Sequence, residues 1–402
     1  MEKGLLISIT GKDQPGLTAQ VFDLLAKGNG RLLDIEQGVT RNLLTLSMLV
    51  QIDTADGQNR LIKELLFLVH DLGGLHLDFE IALPTERPGA RSSFVITCLG
   101  PEVSMGLLAA LGRIVSNEGF RVEKIHHLAQ EEINCVEILV SSPALQLDPR
   151  YLSSKLLHLA GEFSVDIAVQ EENLYRRSKR LIVMDMDSTL VQMEGIDELA
   201  KEAGVGERVA AVTHRAMNGE IAFAEALRER VRLLRGLPID ALERVYRRMT
   251  FTPGARELVR AMKHLGYRTA ILSGGFDYFT DRIREELGLD YTYANGLEIR
   301  DGKLTGEIVG EIVDGKRKAA LMKEIARKEG ITLDQVIALG DGANDLPMIT
   351  QAGLGIAFNA KPKVREQARY NITQKGLDSV LYLLGITQRD LEALSLQKPS
   401  PG

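Results

Sequence analysis

The chain has 402 residues, 45% of them hydrophobic and 26% charged, with 49 basic against 55 acidic side chains and a formal charge of −6. That length exceeds what one hydrophobic core usually organises, so two or three domains are expected. The acidic balance argues against general affinity for nucleic acid or anionic lipid, and no apolar run approaches the roughly 18 residues of a membrane span. Met1-Glu2-Lys3-Gly4 leads directly into a strand-like segment without the pattern of an export signal, so a cytoplasmic location is expected. Cys98 and Cys135 each lie in an apolar stretch, which favours buried thiols over a disulfide or a zinc pair.

The first half reads as a weak repeat of roughly 90 residues. Both copies have the order βαββαβ, with helices taken from apolar positions three or four apart and strands from short β-branched runs. In the first copy Leu5–Ile9 is a strand, Gly16–Lys27 a helix, Leu32–Val39 and Leu43–Ile52 a hairpin, Gln58–Leu72 a helix and Leu75–Ile81 the closing strand. The second runs Phe94–Leu99, Val103–Asn117, Arg121–Leu128, Ile133–Val140, Pro149–Ala160 and Val165–Val169. Residues 84–91 have linker composition, and the basic run Arg176-Arg177-Ser178-Lys179-Arg180 reads as a second, solvated linker. The domains expected are 1–86, 92–172 and 181–395, joined across 173–180 and followed by a tail at 396–402.

From Leu181 the grammar changes to alternating strands and helices. Leu181–Met184, Thr269–Leu272, Val336–Leu339 and Gly355–Phe358 are apolar on both faces, as parallel strands covered by helices must be. A doubly wound α/β sheet follows. A helix-rich insert at Ile196–Thr250 separates the first two strands, and Asp301-Gly302 marks a hairpin between Leu297–Ile299 and Leu304–Ile308.

Open parallel sheets bind ligands beyond the carboxyl ends of their strands. Here those ends carry Asp185-Met186-Asp187-Ser188-Thr189, Ser273-Gly274-Gly275-Phe276 and Gly340-Asp341-Gly342-Ala343-Asn344-Asp345, with Lys318 at a helix start before the third strand. Asp185 and Asp187, two apart on an extended segment, point to the same side while Met186 turns into the packing. One strand-end carboxylate could be a helix cap. Asp185, Asp187, Asp341 and Asp345 together are repulsive unless neutralised, and oxygen ligands without His or Cys fit Mg²⁺ best.

With all of these motifs in place, residues 181–395 resemble the haloacid dehalogenase superfamily and, within it, the phosphoserine phosphatase family. The second acid at Asp187 matches the phosphatase branch. The resemblance implies a Rossmann-like sheet with a helical cap at about 196–250. It implies Asp185 as covalent nucleophile, Asp187 as proton donor and acceptor, and Ser273, Lys318 and the N–H groups of Gly274 and Met186 as holders of the phosphoryl oxygens. It further implies Mg²⁺ bound by Asp185, the Asp187 carbonyl and Asp341, with Asp345 as support behind them.

Val191-Gln192-Met193-Glu194-Gly195-Ile196-Asp197-Glu198-Leu199-Ala200 is similar to the same family's pattern after the nucleophile. By that match Glu194 receives the substrate amino group and Arg230 its carboxylate, Met217 and Phe223 close the lid, and Asn344 contacts substrate or phosphate. A zwitterion needs one anion and one cation at opposite edges of a pocket, and Arg grips a carboxylate bidentately.

Gly11-Lys12-Asp13-Gln14-Pro15-Gly16-Leu17 resembles the ligand loop of ACT domains, which are ferredoxin-like α+β modules. Asp13, Pro15 and Gly16 are therefore candidate effector-binding residues, with serine the implied effector, although such modules also serve as dimerisation units alone. The second copy has Gly100-Pro101-Glu102-Val103-Ser104-Met105-Gly106 and lacks the Asp-x-Pro-Gly element. The implied protein is a homodimeric phosphoserine phosphatase acting last in serine biosynthesis. The alternatives are a phosphatase or phosphotransferase for another small phosphorylated amino acid, and a non-enzymatic sensor, disfavoured because no motif residue is missing.

Overall fold

The structure is a computed structural model and describes residues 4–52, 54–82, 92–131, 133–142, 147–374 and 376–396. The linker at 84–91 and the tail from 397 lie outside the described residues. The chain divides into two units, residues 1–90 and 91–402.

The first unit is one βαββαβ module: β1 (Gly4–Lys12), α1 (Leu17–Lys27), β2 (Arg31–Thr40), β3 (Leu43–Gln51), α2 (Ala55–Leu72) and β4 (Leu75–Ala82). Its antiparallel sheet has the order β2-β3-β1-β4. Alternation decides which face is covered: Leu5, Ile7 and Ile9 of β1 meet Leu17, Val21 and Leu25 of α1 and Leu61 and Leu65 of α2. The helix α1 starts from Gly16, whose φ of 84° is left-handed backbone that glycine adopts without steric penalty.

The second unit opens with the same order in β5 (Ser92–Gly100), α3 (Met105–Asn117), β6 (Arg121–Gln130), β7 (Asn134–Ser142), α4 (Pro149–Phe163) and β8 (Asp166–Glu171), its sheet ordered β6-β7-β5-β8. Here the first helix is capped differently, by the Ser104 hydroxyl accepting the Leu107 N–H at 3.2 Å. Strand β5 is buried on both faces because this module's second face packs on the following domain. Leu99, Cys135 and Ala168 share a cluster with Tyr382, Leu383 and Leu384. The Gln170 amide donates to the Leu383 carbonyl at 2.8 Å, and Asp166 accepts from the Thr373 N–H at 2.7 Å. Cys98 and Cys135 are free and buried, and burial pushes the Cys98 thiol up to about 12.

The junction departs from the sequence expectation. Arg176 and Lys179 are 2% and 6% exposed, so two of the four cations of the basic run are buried, while Arg177 and Arg180 are exposed. Arg176 is bonded to Glu137 and, at 3.2 Å, to Glu172, while the Lys179 ammonium donates to the Asp334 carbonyl. The Glu137 carboxylate of β7 and the Asp334 carbonyl, both distant in sequence, meet these cations, a partnership that local composition does not display.

The remaining elements are β9 (Leu181–Met184), α5 (Gly195–Glu202), α6 (Gly206–Met217), α7 (Phe223–Leu233), α8 (Ile239–Arg248), α9 (Ala255–His264), β10 (Arg268–Phe276), α10 (Asp277–Leu287), β11 (Tyr291–Arg300) and β12 (Lys303–Val309). After them come α11 (Gly315–Lys328), β13 (Val336–Gly340), α12 (Leu346–Ile349), β14 (Leu354–Phe358), α13 (Pro362–Gln367), β15 (Tyr370–Ile372), α14 (Val380–Leu383) and α15 (Gln388–Leu396). They form a doubly wound sheet ordered β12-β11-β10-β9-β13-β14-β15, parallel except at β12. Ile182 and Met184 of β9 pack on one face with Ile271 and Ile337, while Leu181 and Val183 pack on the other with Ala270 and Val336. Both faces are dry, as the apolar runs required.

The insert between β9 and β10 is the four helices α5 to α8. Asp301 and Gly302, at φ 50° and 70°, make the tight turn of the β11–β12 hairpin. Two parallel strands escaped the sequence reading: β15, only three residues long, and the first half of β11, where Tyr291-Thr292-Tyr293-Ala294-Asn295 lacks an apolar run. Among the described residues no helix is long and apolar enough to cross a membrane.

Candidate active site

Strand register sets the site. Met184 of β9 lies level with Ile271 of β10 and Leu339 of β13, so the residues that follow on all three strands emerge together at the carboxyl edge. The Asp185 N–H still pairs with the Leu339 carbonyl at 2.9 Å, which fixes where this side chain leaves the sheet. Met186 is fully buried, worth about 1.5–3 kcal/mol of apolar burial, and holds the turn down.

Lys318, in the first turns of α11, is fully buried and donates to Asp185 Oδ1 and Asp345 Oδ1, each at 2.7 Å. The Asp314 side chain caps that helix by accepting the Arg317 N–H at 2.8 Å. The other Asp345 oxygen, Oδ2, accepts the Gly342 N–H at 2.9 Å, so both of its oxygens are engaged. A Cβ on Gly340 would stand 2.4 Å from the Asp345 carboxyl carbon, and only glycine permits that approach. Asp185, Asp341 and Asp345 each place a carboxylate oxygen within 4.8 Å of the others.

This crowding sets the titration. Burial first, and then Asp345, raises the Asp185 carboxyl well above the usual range. Burial together with Asp345 and Glu194 pushes Asp341 up to about 6. Burial would lower Lys318, but Asp185 and Asp345 more than offset it and its ammonium is held. A compact set of buried oxygen donors with one cation among them fits a hard dication such as Mg²⁺.

Asp187 accepts the Gly195 N–H at 2.9 Å at the start of α5. Burial and the neighbouring Glu194 push it up to about 7. A Cβ on Gly275 would stand 2.5 Å from Asp187 Oδ2 and 3.1 Å from Ser273 Oγ, so that glycine lets the two groups meet. Ser273 is buried and its hydroxyl accepts the Gly275 N–H at 2.9 Å. Met186 N–H, expected to face phosphate, here donates to Asp185 Oδ1 at 2.8 Å.

The cap completes the cluster. Glu194 accepts from the Ser188 hydroxyl at 2.7 Å. Arg230 of α7 donates to the Ala226 carbonyl and to Thr213 Oγ1, both at 3.4 Å; burial lowers it, and the charges of Asp197, Glu194 and Asp187 oppose that shift. The Phe223 ring lies over Gly274, where a Cβ would meet Phe223 Cζ at 3.1 Å and Asn344 Nδ2 at 3.7 Å. Met217, expected in the lid, lies at the end of α6 and is 67% exposed. Asp13, Pro15 and Gly16 lie in the other unit, where the Asp13 N–H donates to the Asn42 carbonyl at 2.9 Å.

Sequence reasoning missed three contributors. Thr189 Oγ1 donates to Asp341 Oδ1 at 3.1 Å, and Ser188 holds Glu194 from a left-handed φ of 57°. Both lie in the motif run, so proximity was their only signal. Asn295 is fully buried and clamps the motif turn: its amide donates to the Gly274 and Gly275 carbonyls at 2.8 and 3.2 Å, and its oxygen accepts the Val313 N–H at 2.8 Å. No sequence signal marks it.

A capped parallel sheet presenting an acidic cluster and a buried lysine agrees with the family comparisons. Residues 182–350 match the haloacid dehalogenase-like hydrolase family, and residues 3–80 match the ACT domain. The chain is 43% identical over 392 residues to a phosphoserine phosphatase of Streptomyces coelicolor, covering 97% of this chain and 94% of that one. It is 42% identical over 393 residues to a phosphoserine phosphatase of Mycobacterium tuberculosis, covering 97% and 95%. Among solved structures, a probable phosphoserine phosphatase of Vibrio cholerae superposes with a TM-score of 0.60 at 34% identity, over 76% of this chain and 90% of that one. The chain belongs to the phosphoserine phosphatase family.

Proposed function

We propose that this chain hydrolyses O-phosphoserine to serine and phosphate, the last step of serine biosynthesis, through an aspartyl-phosphate on Asp185. The observation that carries the reading is the single cluster in which Lys318 holds Asp185 while Glu194 and Arg230 stand at the cap side of Asp187. Asp185 attacks phosphorus, and the bond from phosphorus to the serine oxygen breaks. Asp187 gives its proton to that departing oxygen. As a carboxylate it then takes a proton from the water that attacks the same phosphorus, releasing phosphate and Asp185. A carboxyl poised at about 7 suits both directions near neutral pH.

Lys318 and Ser273 hold the phosphoryl oxygens as charge redistributes. Asp185, the Asp187 carbonyl and Asp341 are the residues to hold Mg²⁺, with Asp345 behind them because Lys318 and the Gly342 N–H occupy its oxygens. An ion held there would supply neutralisation of the negative charge on a phosphoryl oxygen. Glu194 takes the substrate ammonium, Arg230 its carboxylate, and Phe223 and Asn344 close over the phosphate side.

The front module is proposed as the dimerising and serine-sensing part, its loop at Asp13, Pro15 and Gly16 facing the effector. Exposed Ile35 and Val39 on β2 and Phe79 and Ile81 on β4 support a second copy at those edges. The deciding measurement is phosphate release from a panel of phosphorylated metabolites, with Mg²⁺ and with chelator, and again with added serine. O-phosphoserine should lead the panel and chelator should stop the reaction. No release from O-phosphoserine in Mg²⁺ would sink the proposal.

A further inference from the structure

A cavity of about 420 Å³ lies at the opposite edge of the catalytic sheet, between the second βαββαβ module and the strand starts, lined by Arg176, Lys179, Arg369, Asp148, Asp334 and Tyr370 among others. Lys179 precedes β9, Asp334 precedes β13 and Arg369 precedes β15. Strands of four or five residues put this cavity roughly 15 Å from the catalytic carboxylates.

Its cations are under-served. Arg176 is 2% exposed and its guanidinium ends are taken by Glu137 and Glu172, while its unpartnered Nε is sealed inside the wall, so it offers the cavity no free donor. Lys179, 6% exposed, has three donors, and the structure gives it one bond, to the Asp334 carbonyl. Burial and the like charge of Arg176 push Lys179 down to about 8 even though Asp334 opposes the shift. Three acids line the cavity too, Asp148, Glu171 and Asp334; Asp148 is already occupied, accepting from the Arg150 N–H and Nε, each at 2.8 Å. Arg369, exposed at the mouth, is the third cation and lies next to Tyr370 in the chain.

We propose that this cavity binds a small metabolite through a carboxylate or phosphate group, held by Lys179 Nζ and the Arg369 guanidinium. A desolvated ammonium with donors to spare gains from an anionic acceptor. Because its walls come from β8, the junction and the bases of β9 and β13, such a ligand ties the module to the two strands that carry Asp185 and Asp341.

The test is thermal unfolding of the full chain titrated separately with malonate and with inorganic phosphate at constant ionic strength, in wild type, Lys179→Met and Arg369→Ala. A saturable rise in Tm is expected with at least one anion, with the half-saturating concentration at least about tenfold higher in the variants. The anion that saturates identifies the headgroup, and any rise common to all three proteins belongs to the catalytic site. Arg369 is exposed, so its alanine variant decides the matter if Lys179→Met fails to fold. Absence of a saturable rise with either anion, or an unchanged response in Arg369→Ala, overturns the proposal. Phosphate release from O-phosphoserine by Arg369→Ala without added anion should equal wild type, which separates this site from the catalytic one.

Discussion

Lys318 and Asp185 lie 133 residues apart in the chain and 2.7 Å apart in space, with the lysine fully buried. A second carboxylate, Asp345, takes the same ammonium at the same distance. Two acids sharing one buried base tolerate that base far better than they tolerate each other, which makes this contact the electrostatic keystone of the strand ends.

Lys318→Met therefore leaves two buried carboxylates without their cation. Breaking such a pair costs about 3–5 kcal/mol, so the urea midpoint should fall, more at alkaline than at acid pH, and phosphate release should be lost. An unchanged midpoint would mean that the pair contributes nothing to the fold.

Substitutions at the two motif acids should separate their roles. Asp185→Asn removes the nucleophile while keeping its shape, so turnover should vanish with the circular dichroism spectrum intact. Asp187→Asn should slow turnover by about 10²–10⁴-fold, the usual loss for acid–base catalysis. Full activity in purified Asp185→Asn would refute the covalent route.

Arg230 reaches the cap side of the cluster through Asp197, Glu194 and Asp187. Arg230→Ala should collapse turnover of O-phosphoserine while an aryl phosphate, which has no carboxylate to grip, loses much less. Equal losses on the two substrates would remove the carboxylate assignment.

The acids also predict a pH dependence of stability in chelator. Asp187 at about 7 and Asp341 at about 6 sit above the ordinary carboxyl value of about 3.9. Between those values the folded state binds more protons than the unfolded state, so stability falls as pH rises. The Tm of the metal-free protein should drop from about pH 5 to about pH 8, and Asp187→Asn should flatten that slope. A Tm that climbs across this window would contradict the burial of these groups.

Asn295 gives a prediction that no motif suggests. Asn295→Leu leaves the Gly274 and Gly275 carbonyls and the Val313 N–H without their partner, at about 1–3 kcal/mol for each group left buried and unmatched. Loosening the turn that presents Ser273 should lower kcat more than it changes KM; the reverse split would assign Asn295 to substrate binding.

Much of this was legible in residue order because strand periodicity and strand-end chemistry are local. Leu181–Met184 is β9 to the residue, and Asp185, Asp187, Ser273, Lys318 and Asp341 do converge. A short apolar run flanked by polar loops carries its own signature, so the doubly wound sheet could be read from one chain. Glu194 and Arg230 needed the family pattern, since each alone reads as an ordinary helix residue.

Tertiary structure decided what depends on partners distant in sequence. The run at 176–180 reads as a solvated linker, yet Arg176 and Lys179 are buried because the Glu137 carboxylate and the Asp334 carbonyl come to meet them. Met217 was expected in the lid and is exposed, while Asn295 was overlooked and clamps the catalytic turn. The amino-acid order determines which face of a strand or helix is apolar and which chemistry waits at its end. Which charges become neighbours is set only when the strands take their order in the sheet, because a pair's energy depends on separation and solvent exclusion that the linear sequence does not carry.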